Sequence, residues 1–337
     1  MKRNSFLTVI LAALILAGCS TKREYFNPEK DEKVGVARYE YKLNNDIAFT
    51  SINGATLKDG TVITKAGILS NIKLDKNEKF LGSSGDRIIS SNLDGNFKIR
   101  NLNGETTYER KFDKQVVSAS INGNDLAAVV ADNSMFLIDL KSDVVKMSQK
   151  ANRIFTLDAR SAAPLFLSNT DVFFPTLDGQ LLAVHTPSGR TTGDVYISAE
   201  SFFNNVIYFE NIGQNIYAAT NTSLLMLSPN GNKRVIDSIK NIFSYNGKIY
   251  LFAKDGTAKA FDLNLNELTT EKFKFAQFSG VIPKGEKFYI FESTGYLIVT
   301  DLNFKNREIY KLDDKIDELS FVGDNTFYFK NEYLEIR

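Results

Sequence analysis

Tryptophan is absent from this 337-residue chain, and cysteine and histidine occur once each, as Cys19 and His185. One cysteine cannot form an internal disulfide, so stability must come from packing. A structural or catalytic zinc site draws on two or three His/Cys ligands, which a single His and a single Cys do not supply. A Ser-His-Asp triad could use only His185, and no Gly-x-Ser-x-Gly elbow accompanies it. Charge of one sign is also lacking. With a net charge of +1, no long-range field steers the protein toward nucleic acid, which is excluded as a favoured partner. No phosphate-cradling glycine loop is present. What the chain has instead is 26 Phe, 14 Tyr and many β-branched residues, a composition that favours strands.

The strands come in a repeating hairpin. In VFFPTLDGQLLAVHTPSG, residues 172–189, two apolar runs flank an Asp178-Gly179 turn, where positive φ favours Gly and Asn/Asp. Equivalent turns fall at Asp59-Gly60, Asp94-Gly95, Asp132-Asn133, Asn221-Thr222, Asp255-Gly256, Thr294-Gly295 and Asn331. Those eight turns are spaced by about 39 residues, and a period near 40 with four strands per repeat marks a β-propeller blade. The strand before each turn is almost continuously apolar, as in IYLFAK before Asp255, and so suits burial between neighbouring blades.

The last repeat supplies only three strands: Ile316 to Val322, Asn325 to Lys330 and Tyr333 to Arg337. The alternating stretch Val34 to Leu43 (VGVARYEYKL) can supply the fourth. The expected fold is all-β, an eight-bladed propeller whose ring is closed by an N-terminal strand completing the last blade, with seven blades as the alternative. Joining the ends would remove the exposed sheet edges. Residues 34–337 then form a single propeller domain. The longest interval, from Asp132 to Asp178, holds spare length at Arg153 to Pro164, which is expected on one rim where partners bind.

Ahead of the domain, Lys2 and Arg3 precede an apolar run from Phe6 to Ala17, shorter than the roughly 20 residues a spanning helix needs. The run ends in Leu16-Ala17-Gly18-Cys19-Ser20, which resembles a bacterial lipobox. The resemblance implies a lipoprotein signal peptide at 1–18 and lipid attachment (diacylglyceryl and palmitate) at Cys19. Ser20 after the Cys implies an outer-membrane location, lipid-anchored and facing the periplasm. Residues 19–33 carry eight charges in the 14 residues after Cys19 and read as a flexible tether.

The Asp-Gly-punctuated repeats resemble the PQQ-like propeller repeat, and an anchored chain of this length resembles the BamB-type lipoproteins of outer-membrane β-barrel assembly. One local match is more specific. Leu157-Asp158-Ala159-Arg160, followed by Ala163-Pro164, resembles the Leu-x-Leu-Arg…Ala-Pro rim loop through which that family contacts its BamA partner. Ala159 departs from the second Leu, and the family's companion acidic pair has no counterpart in Phe202 to Val206 (FFNNV). The resemblance implies a non-catalytic scaffold, a monomer within a complex, that binds a BamA-like barrel-assembly protein through Leu157, Ala159 and Arg160. Such a loop pairs an apolar anchor with a forked donor, the residue types enriched at hot spots.

PQQ-dependent dehydrogenases share the repeat but use Trp-rich blades and a cofactor pocket. With no Trp, no small-molecule cofactor and no metal are expected. Ser70-Asn71-Ile72-Lys73 falls on a strand without the partner motifs of a Ser-x-x-Lys enzyme, and Glu267 takes the place of the turn Gly that a calcium loop after Asp262 would need. Two alternatives to a scaffold remain: an anchored propeller that binds a small ligand or carbohydrate, or a hydrolase that uses the central channel. A surface adhesin is a third.

Overall fold

A computed structural model describes residues 24–337 except 153, 155–157 and 159. The described residues form 33 strands and no helix, arranged as eight sheets in a ring. This is an eight-bladed β-propeller, and the seven-bladed alternative falls away. Blade 6 is representative. Its inner strand Ile239–Tyr245 pairs with Lys248–Ala253, then Thr257–Phe261, then the outer strand Glu267–Lys272, all antiparallel. The second strand is buried along nearly its whole length, as continuous apolar patterning requires of a strand covered on both faces.

All eight expected turns join the second and third strands of their blades, and so lie on one face of the ring. Each turn also anchors the chain leaving the outer strand. The residue just past that strand donates its backbone N–H to the turn: Leu74 to Gly60 O at 2.9 Å, Phe112 to Gly95 O at 2.9 Å, Phe273 to Gly256 O at 2.8 Å. Ala151, Ile197, Asp237 and Leu312 repeat the bond in their blades. At Gly256 the φ of +88° and the approach of Phe273 O, 2.4 Å from where a Cβ would sit, leave room for no other residue. In five blades the outer strand ends in a lysine that reaches back to the same turn. Lys73 pairs with Asp59, Lys150 with Asp132 at 2.6 Å and Lys272 with Asp255 at 2.6 Å, while Lys111 and Lys311 donate to turn carbonyls.

Phenylalanine takes the packing role that tryptophan could have filled. Between blades 6 and 7, Phe252 meets Phe278 edge-to-face at 5.2 Å and Tyr250 meets Phe288 at 4.7 Å, and all four are fully buried. Each such side chain contributes about 1.5–3 kcal/mol through burial, and the ring quadrupoles favour the T-shaped contacts. In blade 2, by contrast, ion pairs join strands to the entering loop: buried Arg100 contacts buried Glu78 at 2.7 Å and exposed Asp75 at 2.9 Å, with Ser90 Oγ accepting from its guanidinium.

Closure differs in detail from the expected single strand. Val34 to Leu43 divides in two. Val34–Val36 adds a fifth strand to blade 7, parallel to Glu308–Lys311, and only Tyr41–Lys42 completes blade 8, antiparallel to Glu332–Glu335. The parallel addition depends on Gly35, where a Cβ would come within 2.8 Å of the Tyr310 ring. The second segment is fixed by a Tyr41–Tyr333 stack at 4.9 Å and by Arg337, which donates to Glu40 Oε2 and Tyr41 OH. Leu43 N then bonds Asn331 O at 2.7 Å, so the anchoring bond of the other seven blades recurs across the junction. The segment expected as a tether is also docked in part. Phe26 is buried, edge-on to Tyr296 of blade 7 at 5.5 Å. The expected signal peptide, Cys19 and Ser20 to Arg23 lie outside the described residues.

Candidate functional site

Two connectors meet beside the channel on the face that carries the Asp-Gly turns. The first leads into blade 4, whose inner strand is only Leu165–Phe166. Short pairing leaves its backbone to be satisfied by neighbours: Ala162 N bonds Val206 O at 2.8 Å, and Ser120 Oγ of blade 3 donates to Pro164 O at 2.6 Å. Asn205, with no exposed surface, closes this connector on the second one. Its Oδ1 accepts from Asp158 N, and its Nδ2 donates to Asp158 O, Arg160 O and Ser161 Oγ at 3.0–3.3 Å.

Arg160 therefore turns inward along the loop. Its Nε and Nη2 fork onto the Asp158 carboxylate at 3.2 and 3.0 Å. Nη2 also donates to Asn221 Oδ1, and Nη1 donates to Lys240 O of blade 6, each at 2.5 Å. Burial pushes the Asp158 carboxyl up, but the Arg160 guanidinium and the Asn221 amide outweigh it and hold the group below the usual range. The guanidinium thus ties blade 4's entrance to blades 5 and 6, and its side chain remains 32% exposed. Leu157 and Ala159, the other expected contact residues, lie outside the described residues.

The second connector runs from blade 4 to blade 5 through Ser201 to Val206, where the acidic pair was missing. Asn204, buried, donates to Asp178 O at 3.0 Å and Ser198 O at 3.1 Å. Its amide sits against Gly179, where a Cβ would lie 2.4 Å from Nδ2, so the Asp-Gly turn of blade 4 is also the seat of this loop. Asn221 Nδ2 holds Phe203 O at 3.0 Å. Phe203 has a φ of +51°, a conformation that costs a bulky residue about 1–3 kcal/mol and persists only when its surroundings over-determine it. The loop presents two aromatic side chains to solvent, with Phe202 60% and Phe203 52% exposed.

Phe203, Asp158 and Arg160 line one wall of a cavity of about 690 Å³ at the channel mouth. Lys240 and Lys254 of blade 6 line it further, facing Asp317 and Glu318 of the loop into blade 8. Lys240 occupies a β-bulge in its inner strand, between the Ile239–Ala253 and Asn241–Phe252 pairs, which re-aims its side chain. Burial, then the neighbouring Arg160 and Lys254 charges, push the Lys240 ammonium below its usual value. Among the described residues no group of three or more His, Cys, Asp or Glu stands together as a metal site. His185 sits at the far end of its strand from the Asp-Gly turn, with Nδ1 2.9 Å from Ser188 Oγ. Lys73 is committed to Asp59, and the Asp262 carboxylate caps its own turn by accepting from Asn264 N and Asn266 N at 2.8 Å. The sequence pattern marked Asn221 only as a turn residue and did not single out Asn204, Asn205 or Lys240. The Asn-Asn doublet after Phe-Phe was the one local signal, since a polar pair directly after two exposed aromatics suggests a pinned turn.

No protein-family model matches the chain. Two curated relatives, each the plasminogen-binding protein PgbB of a Helicobacter pylori strain, are 28% identical over an alignment of 387 residues. The alignments cover 98% of this chain and 71% and 70% of the relatives. Among solved structures the chain is similar to BamB from Moraxella catarrhalis, with a TM-score of 0.66, 14% identity and coverage of 87% of this chain and 97% of that one. It is similar to the C-terminal WD40 domain of Sif2, with a TM-score of 0.68, 14% identity and coverage of 90% and 99%. It also resembles the computationally designed Ika8 protein, with a TM-score of 0.62, 12% identity and coverage of 90% and 99%. At these identities the likeness is one of fold, a BamB-like propeller.

Proposed function

We propose that this propeller is a non-catalytic binding scaffold, anchored through Cys19 to the outer membrane and facing the periplasm. It docks a protein of the barrel-assembly machinery, a BamA-like subunit, on the face around blades 4 and 5. The observation that carries this reading is the loop at Phe202 and Phe203. Two exposed aromatics sit on a strained turn that Asn204, Asn205 and Asn221 hold rigid, beside a clamped Arg160. Aromatic anchors near an Arg are the residues that dominate interface energetics, and a pre-ordered loop loses little entropy on docking. Arg160 serves this face chiefly by fixing the entrance loop, and Leu157 remains the proposed apolar contact next to it. In this reading residues 1–18 are the removed signal peptide and the chain acts as one copy within a larger complex.

The test is capture from detergent-solubilised envelopes. Wild type should recover the barrel-assembly core. Phe202→Ser with Phe203→Ser should cut recovery at least about tenfold, as expected for loss of hot-spot aromatics, with an unchanged melting curve. Undiminished recovery would remove the loop from the interface. The name of the two relatives, which match nearly the whole chain, supports a second reading, a surface protein that binds plasminogen. Protease shaving of intact cells separates the two, because a periplasmic scaffold survives and a surface binder is cut.

A further inference from the structure

The channel mouth carries two lysines, Lys240 and Lys254, that form no ion pair within the described residues. Three of the six charged groups lining the cavity are already matched: Asp158 and Arg160 by each other at 3.0 Å, and Glu318 by Lys330 of blade 8 at 3.4 Å. The Lys240 and Lys254 side chains have neither an ion pair nor a side-chain hydrogen bond within the described residues, although both are close enough for each to act on the other's charge. Lys79 stands at the start of blade 2's inner strand, within electrostatic reach of Asp158, and is likewise unpaired. The facing wall contributes one further acid, Asp317. Overall net charge is only +1, so this cluster is a local construction rather than the overflow of a basic chain. Burial penalises the charged forms of Lys240 and Lys79, so an incoming anion would relieve a cost the fold now bears.

We propose that the channel mouth receives an extended acidic segment of a partner protein, its carboxylates seated on Lys240 and Lys254. Lys79 adds to the field from the blade 2 side. A single small anion suits the site poorly. Lys240 and Lys254 line a cavity of about 690 Å³ from blade 6, Lys79 stands apart on blade 2, and among the described residues none belongs to a closed cradle of backbone donors of the kind that binds phosphate. A chain with several carboxylates can satisfy separated cations at once, while Asp317 opposes it and favours a residue of the other sign, or an N–H group, on the blade 8 side. The proposal deepens the scaffold reading and rests on it: Phe202 and Phe203 would grip the body of the partner, and the mouth would take its acidic strand.

The probe is a fluorescein-labelled heptapeptide of alternating Glu and Ala, titrated by anisotropy against the full chain in non-ionic detergent. Binding should appear at 50 mM salt and weaken steeply by 300 mM, as expected for charges in an open mouth. Lys240→Glu with Lys254→Glu should weaken it on the order of tenfold or more, because close charge pairs at interfaces couple strongly. Lys141→Glu with Lys248→Glu, an equal charge change on the opposite face, should leave it unaltered. No binding by wild type, or equal loss in both double variants, would overturn the proposal. So would complete displacement of the peptide by 1 mM inorganic phosphate, which would make the mouth a small-anion site. Phe202→Ser with Phe203→Ser should retain peptide binding while losing envelope capture, so failure of the mouth and failure of the scaffold reading give different results.

Discussion

Asp255 shows what one repeated side chain contributes. Burial pushes its carboxyl up, yet the Lys272 ammonium and the Thr257 hydroxyl and N–H hold it down to about 2. Asp59 and Asp132, paired with Lys73 and Lys150, are shifted in the same direction. A carboxyl depressed in the folded state adds stability that is fully present above its unfolded pKa, near 4, and is lost as pH falls toward 2. Asp255→Asn should therefore melt below the parent at pH 7. The gap should shrink between pH 4 and pH 2 and vanish below that, which a series of melting curves by circular dichroism would record. A gap that persists at pH 2 would show that the carboxylate's charge is not what matters. The Asp itself was legible in the sequence because it stands next to a turn glycine. Its lysine was not, since the 14 to 18 residues between the partners are bridged only once the outer strand folds back.

At the scale of elements, the site depends on connectors more than on strands. Asn205 satisfies two carbonyls and a hydroxyl of the neighbouring loop, so Asn205→Ala leaves them without that donor in a buried setting, at about 1–3 kcal/mol. Hydrogen exchange should rise at 158–162 and 201–206 together, with blade 2 unchanged. Exchange confined to one connector would mean that the two are not coupled through this amide. The strands themselves were readable, because alternation and Asp-Gly turns are local signals. The connectors were not: the role of Asn205 is set by groups 44 to 47 positions away, and Arg160, which the family resemblance implied to be a contact donor, bonds residues up to 80 positions distant. The fifth strand of blade 7 was equally hidden. Val34–Val36 is three residues long, and its parallel pairing depends on a tyrosine ring over Gly35 that has no counterpart in the pattern.

For the whole molecule, the question is what holds the ring shut. Residues Val34–Val36 only thicken blade 7, whereas Tyr41–Lys42 and the Leu43–Asn331 bond complete blade 8. Removing residues 24–36 should cost about 1–4 kcal/mol, the loss of one short edge strand and of Phe26 burial, with unfolding still cooperative. Extending the deletion through residue 43 should lower the urea midpoint much further and broaden the transition, because blade 8 then presents an open edge. Identical behaviour of the two deletions would place closure elsewhere. Eight turns at even spacing made the wheel legible from residues alone, and the shortage of one strand at the C-terminus pointed to where its ends join.

Arg337 grips Tyr41 across 296 positions of sequence. The stretch that emerges early during synthesis must wait for the strands of blade 8 before it finds its place. Until then the growing protein is an unclosed arc with two raw sheet margins, exposed to any strand that drifts past. Guarding that interval falls to whatever escorts the chain, and a mutation that delays the last step would be felt as poor yield long before it was seen as a weaker fold.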